Sequence, residues 1–342
     1  MPSNLKAVLC VVLAVLCFNL NDSLMKSLFA QEPVYVIVGL RATMVMALLS
    51  LTIIVFVRQN PLNGFRDRGT MLFGFGEAMI AMPYLTALMF LSLGVSAALI
   101  FTAPIITTAL GATFLRERVG VYRWGAVVLG FFGVVLIALG EPITRHLAPD
   151  LALSIYGAVD PDNGRVLSGN MRFILLAPLC AALALSTRDL LSRAVPSKLP
   201  TVFNAAYSGL FVCAASILCF LTIPPLFPQT FEPFIQGRGF ISVAADFDPL
   251  TWLKLLVSSS LIATAYYFSA LSLRIGELSV ISPFRYVGLP GAMMLDVVLF
   301  QSVPQWNEYT GGILIALAGI IIVIRESRAG KLRQPNPASR RG

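Results

Sequence analysis

Charge is scarce in this sequence. Asp, Glu, Lys and Arg make up 12% of its 342 residues, about half the share found in soluble domains. With 57% hydrophobic residues, the chain cannot wrap itself in polar surface, so its solvent must be lipid. Histidine is nearly lacking: the single His146 falls in a loop, which excludes a histidine relay across a membrane. Cys10, Cys17, Cys180, Cys213 and Cys219 are odd in number and follow no zinc or disulfide spacing. They read as small apolar packing residues, and neither a metal site nor a cofactor is expected. No phosphate-binding loop of the ATPase kind occurs, which excludes direct drive by ATP. The apolar runs hold no Ser/His dyad and no His/Asp hydrolase pairing, so an enzyme is not expected.

What the chain does have is apolar runs of membrane-spanning length, about 20 residues each. Ten spans are predicted, over residues 5–29, 33–57, 69–91, 95–115, 121–140, 171–194, 201–224, 251–273, 277–300 and 307–325. The first resembles a signal peptide at its start, with Lys6 before an apolar run. It continues through Asn21, Asp22 and Lys26 without a small-residue cleavage site, so it is expected to be retained. Basic residues alternate from loop to loop: Arg58, Arg66 and Arg68 after the second span, Arg116, Arg118 and Arg123 after the fourth, Arg193 and Lys198 after the sixth, Arg274 after the eighth. By the positive-inside rule both termini face the cytoplasm. The +8 net charge then belongs to membrane topology, and no nucleic-acid partner is expected. The tail 326–342 is basic and expected to be disordered.

The two halves look alike. "NDSLMKS" (21–27) aligns with "RDLLSRA" (188–194), placing Asp22 on Asp189, Lys26 on Arg193 and Pro33 on Pro200. A larger offset aligns "AMPYLTAL" (81–88) with "ATAYYFSA" (263–270), placing Tyr84 on Tyr266. An odd number of spans per half inserts the second half upside down, the plan of many secondary transporters.

The segments "FTAPIITTALGATFLRERVGVYRWGAVVLGFFGVVLIALG" (101–140) and "GELSVISPFRYVGLPGAMMLDVVLFQSVP" (276–304) resemble the EamA domains of the drug/metabolite transporter superfamily. The family's usual acidic residue is replaced by Ser302. The resemblance implies an all-α integral membrane protein of ten transmembrane helices, built as two inverted five-helix repeats. The first repeat is expected at 1–140, an extracytoplasmic linker at 141–170 and the second repeat at 171–325. It further implies alternating access around a central cavity in a bacterial inner membrane, with export or exchange of a small solute. Asp22 and Lys26 late in the first span are similar to those of bacterial metabolite transporters, including riboflavin and S-adenosylmethionine carriers. Uptake of such a solute, or a receptor or scaffold without flux, stays open as an alternative.

Ionisable side chains deep in a span should face a partner or a wet cavity. Candidates are Asp22, Lys26, Arg41, Glu77, Asp189, Arg285 and Asp296. Asp22–Lys26 and Asp189–Arg193 are i,i+4 pairs in both halves, expected as helix-end ion pairs or gates. Arg41, Glu77 and Arg285 have uncharged repeat mates, Ser208, Ser259 and Ala103, and lie roughly 12–14 Å from a surface at 1.5 Å per residue. A symmetric scaffold does not need them, so they are expected to contact substrate. Two arginines against one glutamate suggest an anionic or zwitterionic solute. Tyr84, Tyr266, Tyr267, Tyr286 and Phe284 are expected to flank it, and Glu77 is the expected proton carrier. Pro104 and Pro283 offer kinks. Glu117 is expected to order a turn. Glycine-rich spans five and ten are expected to pack closely, within the chain or across a homodimer.

Overall fold

Leu5, Leu9, Leu13, Leu16 and Leu20 fall on one stripe of the first helix and all are exposed, while Ala7, Val11, Ala14, Asn21 and Asp22 on the opposite stripe are buried. This reverses the pattern of a soluble helix: the largest apolar side chains point out and the polar ones point in. The long helix Pro249–Ile275 repeats it, with Leu250, Leu253, Leu256 and Val257 exposed and Ser258, Ser259 and Tyr266 buried. A surface of this kind is stable only against hydrocarbon.

The computed structural model describes residues 3–103, 105–106, 110, 124–125, 128–137, 174–226, 240–275, 284–285, 287–301 and 305–333. Its helices are α1 (Ser3–Phe29), α2 (Val34–Thr52), α3 (Arg68–Leu88), α4 (Leu93–Ile100), α5 (Val128–Ile137), α6 (Leu176–Ala194), α7 (Thr201–Leu226), α8 (Phe240–Ala245), α9 (Pro249–Ile275), α10 (Gly288–Phe300) and α11 (Trp306–Arg333). No strand occurs among the described residues. A π-helical turn, Ile53–Val57, prolongs α2 and ends at Arg58 in the left-handed conformation, φ 55°. Among the described residues, five helical stretches are long and apolar enough to cross a membrane: Leu5–Phe29, Val34–Val57, Arg68–Leu88, Thr201–Thr222 and Pro249–Ile275.

Two expectations shift here. The expected fourth span begins as α4 but that helix ends at Ile100, and most of 104–127 lies outside the described residues. The last helix continues to Arg333, eight residues beyond the expected end at 325. "ESRAGKLR" contains good helix formers and no proline, so nothing there stops the helix. The linker 141–170, Glu117, Pro104, Pro283 and Ser302 lie outside the described residues.

α1 packs along α9, α2 along α7, and α3 along both α6 and α7, while α4 meets α6, α10 and α11. In lipid, apolar burial does not drive such contacts; close van der Waals approach and hydrogen bonds do. A Cβ on Gly209 of α7 would lie 3.1 Å from the Ala42 carbonyl oxygen of α2. A Cβ on Gly133 of α5 would lie 2.7 Å from the Gly311 carbonyl oxygen of α11, and one on Gly311 would lie 2.6 Å from that of Gly133. The two glycine-rich segments therefore meet each other within one chain.

Candidate functional site

The interior polar residues gather into three linked sets. The first joins α1, α2, α3 and α9. Asn21 sits at its centre, donating through Nδ2 to Asp22 Oδ1 at 2.9 Å and accepting at Oδ1 from Arg41 Nη1 at 3.0 Å and Ser258 Oγ at 2.7 Å. Those three contacts fix which way the amide points. The Tyr84 hydroxyl donates to Asp22 Oδ2 at 2.9 Å. Ser259 donates to the Arg41 carbonyl at 3.3 Å. Arg41 is 2% exposed, and its Nε has no hydrogen-bond partner among the described residues.

The second set joins α3 and α6 to Arg285. Arg188 pairs with Glu77 through Nη1 and with Asp189 through Nη2, the latter at 2.7 Å. Asp189 is also paired with Arg285 Nη1 at 3.0 Å. The Arg188 guanidinium lies 4.8 Å from the ring centre of Phe73, a cation–π contact on the same helix as Glu77. Tyr266 lies within electrostatic reach of Arg41, Asp22 and Arg188, and so stands between the first two sets.

The third set closes one end of α4. Asp296 is 0% exposed. Its carboxylate accepts from the backbone N–H groups of Leu93 at 3.1 Å and Gly94 at 2.6 Å. Lys26 lies 3.5 Å from the same carboxylate and donates to the Leu91 carbonyl at 3.0 Å. A carboxylate at a helix N-terminus satisfies free N–H groups and opposes the positive end of the helix dipole. Beside this set, Asn19 donates to the Gly288 carbonyl at 2.8 Å, tying α1 to α10.

Of the residues singled out in the sequence, Arg41, Glu77, Tyr84, Tyr266, Arg285, Asp22, Lys26 and Asp189 all belong to or border these sets. Tyr286 and the Arg193 side chain lie outside the described residues. Tyr267 packs against Phe268, ring centres 5.4 Å apart, and Phe284 is exposed at 38%.

The pairings differ from expectation. Asp22 and Lys26 do not pair along α1; Lys26 reaches instead to Asp296 of α10 and to the Leu91 carbonyl in the turn between α3 and α4. Glu77 is matched by Arg188 rather than by Arg41 or Arg285. The expected excess of positive charge is absent among the described interior groups. Lys26, Arg41, Arg188 and Arg285 stand against Asp22, Glu77, Asp189 and Asp296, four of each sign. Arg188 and Asp296 carry much of this network. Asp296 is among the charges singled out in the sequence; Arg188 is not, although the criterion that selects Arg41 applies to it, its repeat mate being Asn21.

Residues 5–139 match the EamA-like transporter family. The chain is 21% identical over 229 residues to a protein of Rickettsia felis named S-adenosylmethionine uptake transporter, covering 67% of this chain and 62% of that one. The chain thus spans about three fifths of the length of this curated relative. A crystal structure described only as that of a protein superposes with a TM-score of 0.56 at 16% identity, covering 93% of this chain and 97% of the other. The fold is therefore shared over nearly the whole length.

Proposed function

We infer, from the match of residues 5–139 to the EamA-like transporter family, that this multi-pass membrane protein is a secondary carrier of a small polar metabolite. The observation that carries this reading is the buried Arg41–Asn21–Asp22–Tyr84 set. Opposite charges deep in a bundle are costly in lipid and mark solute or ion pathways. Both signs are present in balance, which suits a zwitterion better than a simple anion. S-adenosylmethionine, the solute named for the Rickettsia relative, carries an amino-acid head of that kind and is the first solute to test. That relative's name favours uptake, and exchange is the simplest assay of it.

Alternating access between two inverted repeats, 1–140 and 171–325, is part of the proposal. The helix contacts support it. Pairing the helices by repeat, α1 with α6, α2 with α7 and α3 with α9, turns the α1–α9 contact into the α6–α3 contact. Gly209 approaches Ala42, which is its own repeat mate, as expected at a two-fold axis. In this reading Arg41, Glu77, Tyr84, Tyr266 and Arg285 border the solute path, and Tyr286, outside the described residues, is assigned to it from the sequence alone. Lys26 with Asp296, and Asp189 with Arg188 and Arg285, close its two ends.

The test is counterflow into liposomes holding the purified protein. Preloading with unlabelled S-adenosylmethionine should drive saturable entry of labelled solute, and Arg41→Ala should abolish it while leaving the protein folded. Failure to exchange this solute or any of a panel of amino acids, organic acids, nucleoside derivatives and flavins would sink the carrier reading.

A further inference from the structure

Three of the four interior carboxyl groups described are clasped by cations: Glu77 by Arg188, Asp189 by Arg188 and Arg285, Asp296 by Lys26. Asp22 is the fourth. It is 8% exposed, and its direct partners among the described residues are neutral, the Asn21 amide at 2.9 Å and the Tyr84 hydroxyl at 2.9 Å. The groups facing it come from every neighbouring helix. They are Arg41 from α2, reached through Asn21, Tyr84 from α3, and Tyr266 and Ser258 from α9. On α1 itself Lys26 is turned to Asp296 of α10.

The repeat mate makes the contrast sharp. Asp189 occupies the matching position in the second half, yet it is held at 2.7 Å and 3.0 Å by two arginines. Where the first half has Asn21 and Ala103, the second has Arg188 and Arg285. Two substitutions thus turn one aspartate into a fixed counter-ion and leave its twin without a directly bonded cation among the described residues.

We propose that Asp22 is the proton-binding site that couples this carrier to a proton gradient, a role that rests on the carrier reading above. A proton added to Glu77, Asp189 or Asp296 would strip a buried cation of its partner, which is strongly unfavourable. A proton added to Asp22 breaks no direct ion pair. The bond formed is O–H on a carboxylate oxygen; the proton arrives as hydronium and leaves a water molecule behind. The Tyr84 hydroxyl, free to rotate, then accepts instead of donating. Arg41 loses the one carboxylate facing it among the described residues, and with its Nε without a hydrogen-bond partner among them it becomes the group that answers to proton binding. The solute contact and the proton then share one chain of four residues. Glu77, the carboxyl expected from sequence to carry the proton, is tied to Arg188.

Infrared difference spectroscopy of the full chain in liposomes, stepped through pH, reads this directly. One protonated-carboxyl band should titrate, vanish in Asp22→Asn, persist in Glu77→Gln and return shifted in Asp22→Glu. A band that survives Asp22→Asn, or that is lost with Glu77→Gln, overturns the proposal. In the same liposomes, wild-type S-adenosylmethionine counterflow should depend on pH and the dependence should reappear in Asp22→Glu. Normal flux with an unaltered pH profile in Asp22→Asn removes the proton site and leaves the carrier. Absence of flux in wild type for every solute of the panel removes the carrier, and the coupling role with it.

Discussion

Arg188 is heavily committed among the described residues. Two carboxylates and an aromatic face hold it, and it is 4% exposed. Removing one member of a buried ion pair leaves the other charge without a partner, at a cost of about 3–5 kcal/mol. Arg188→Gln should therefore lower the unfolding free energy in detergent by about that amount. Removing Glu77 as well should recover part of the loss, because no carboxylate then stands alone on α3. Equal instability in Arg188→Gln and in the double variant would show that the pair is not coupled. The residue also marks where sequence reasoning stopped short. In the sequence Arg188 falls inside the repeat signature beside Asp189, with nothing local to set it apart. Its mismatch with Asn21 was visible in the alignment. That it reaches Glu77, 111 positions away, was not, because that contact depends on how α3 crosses α6.

Helix ends show the same division between local and distant causes. α3 begins where the chain itself provides a cap: Asp67 accepts from the Thr70 backbone N–H at 2.9 Å and from the Thr70 hydroxyl at 2.7 Å. Burial pushes the Asp67 carboxyl up, but hydrogen bonds from the side chains of Thr70 and Ser197 and from the Thr70 and Lys198 amides outweigh it and hold it below the ordinary range. A depressed folded value means stability that is complete above the unfolded value, near 3.9, and lost as the pH falls through the lower folded value. Asp67→Ala should cost about 1 kcal/mol at neutral pH, as for other N-caps, and the gap to wild type should close in acid. Thermal unfolding at both pH values measures this; a gap independent of pH would mean that the carboxylate is not the stabilising group. The α3 start was legible because cap and helix are neighbours in sequence. The start of α4 was not fully legible. Ser92 caps Val95 locally at 3.1 Å, but two further N–H groups are satisfied by Asp296, 202 positions away.

At the scale of the whole molecule, the apolar runs and the likeness between the halves made the helical, membrane-spanning character readable in advance. The charge balance was not. It emerges only when Arg41 of α2 and Arg285 are set beside Glu77 of α3 and Asp296 of α10, since those segments each bring one sign while α1 and α6 hold one interior charge of each. The proposed solute path lies where those surpluses cancel. Asp296 carries a consequence beyond its contacts. A single carboxylate fastens the Lys26 end of α1 and the first turn of α4 to α10. Those three pieces of chain are joined at one point, so α1 cannot swing free while α4 stays docked on the same oxygen atoms without abandoning a buried charge. Motion at this end should be all-or-none, with a fluorescent probe near Leu91 reporting a single exponential and Asp296→Ala splitting it into separate phases. Multiple phases already present in the wild type would mean that the parts move one at a time.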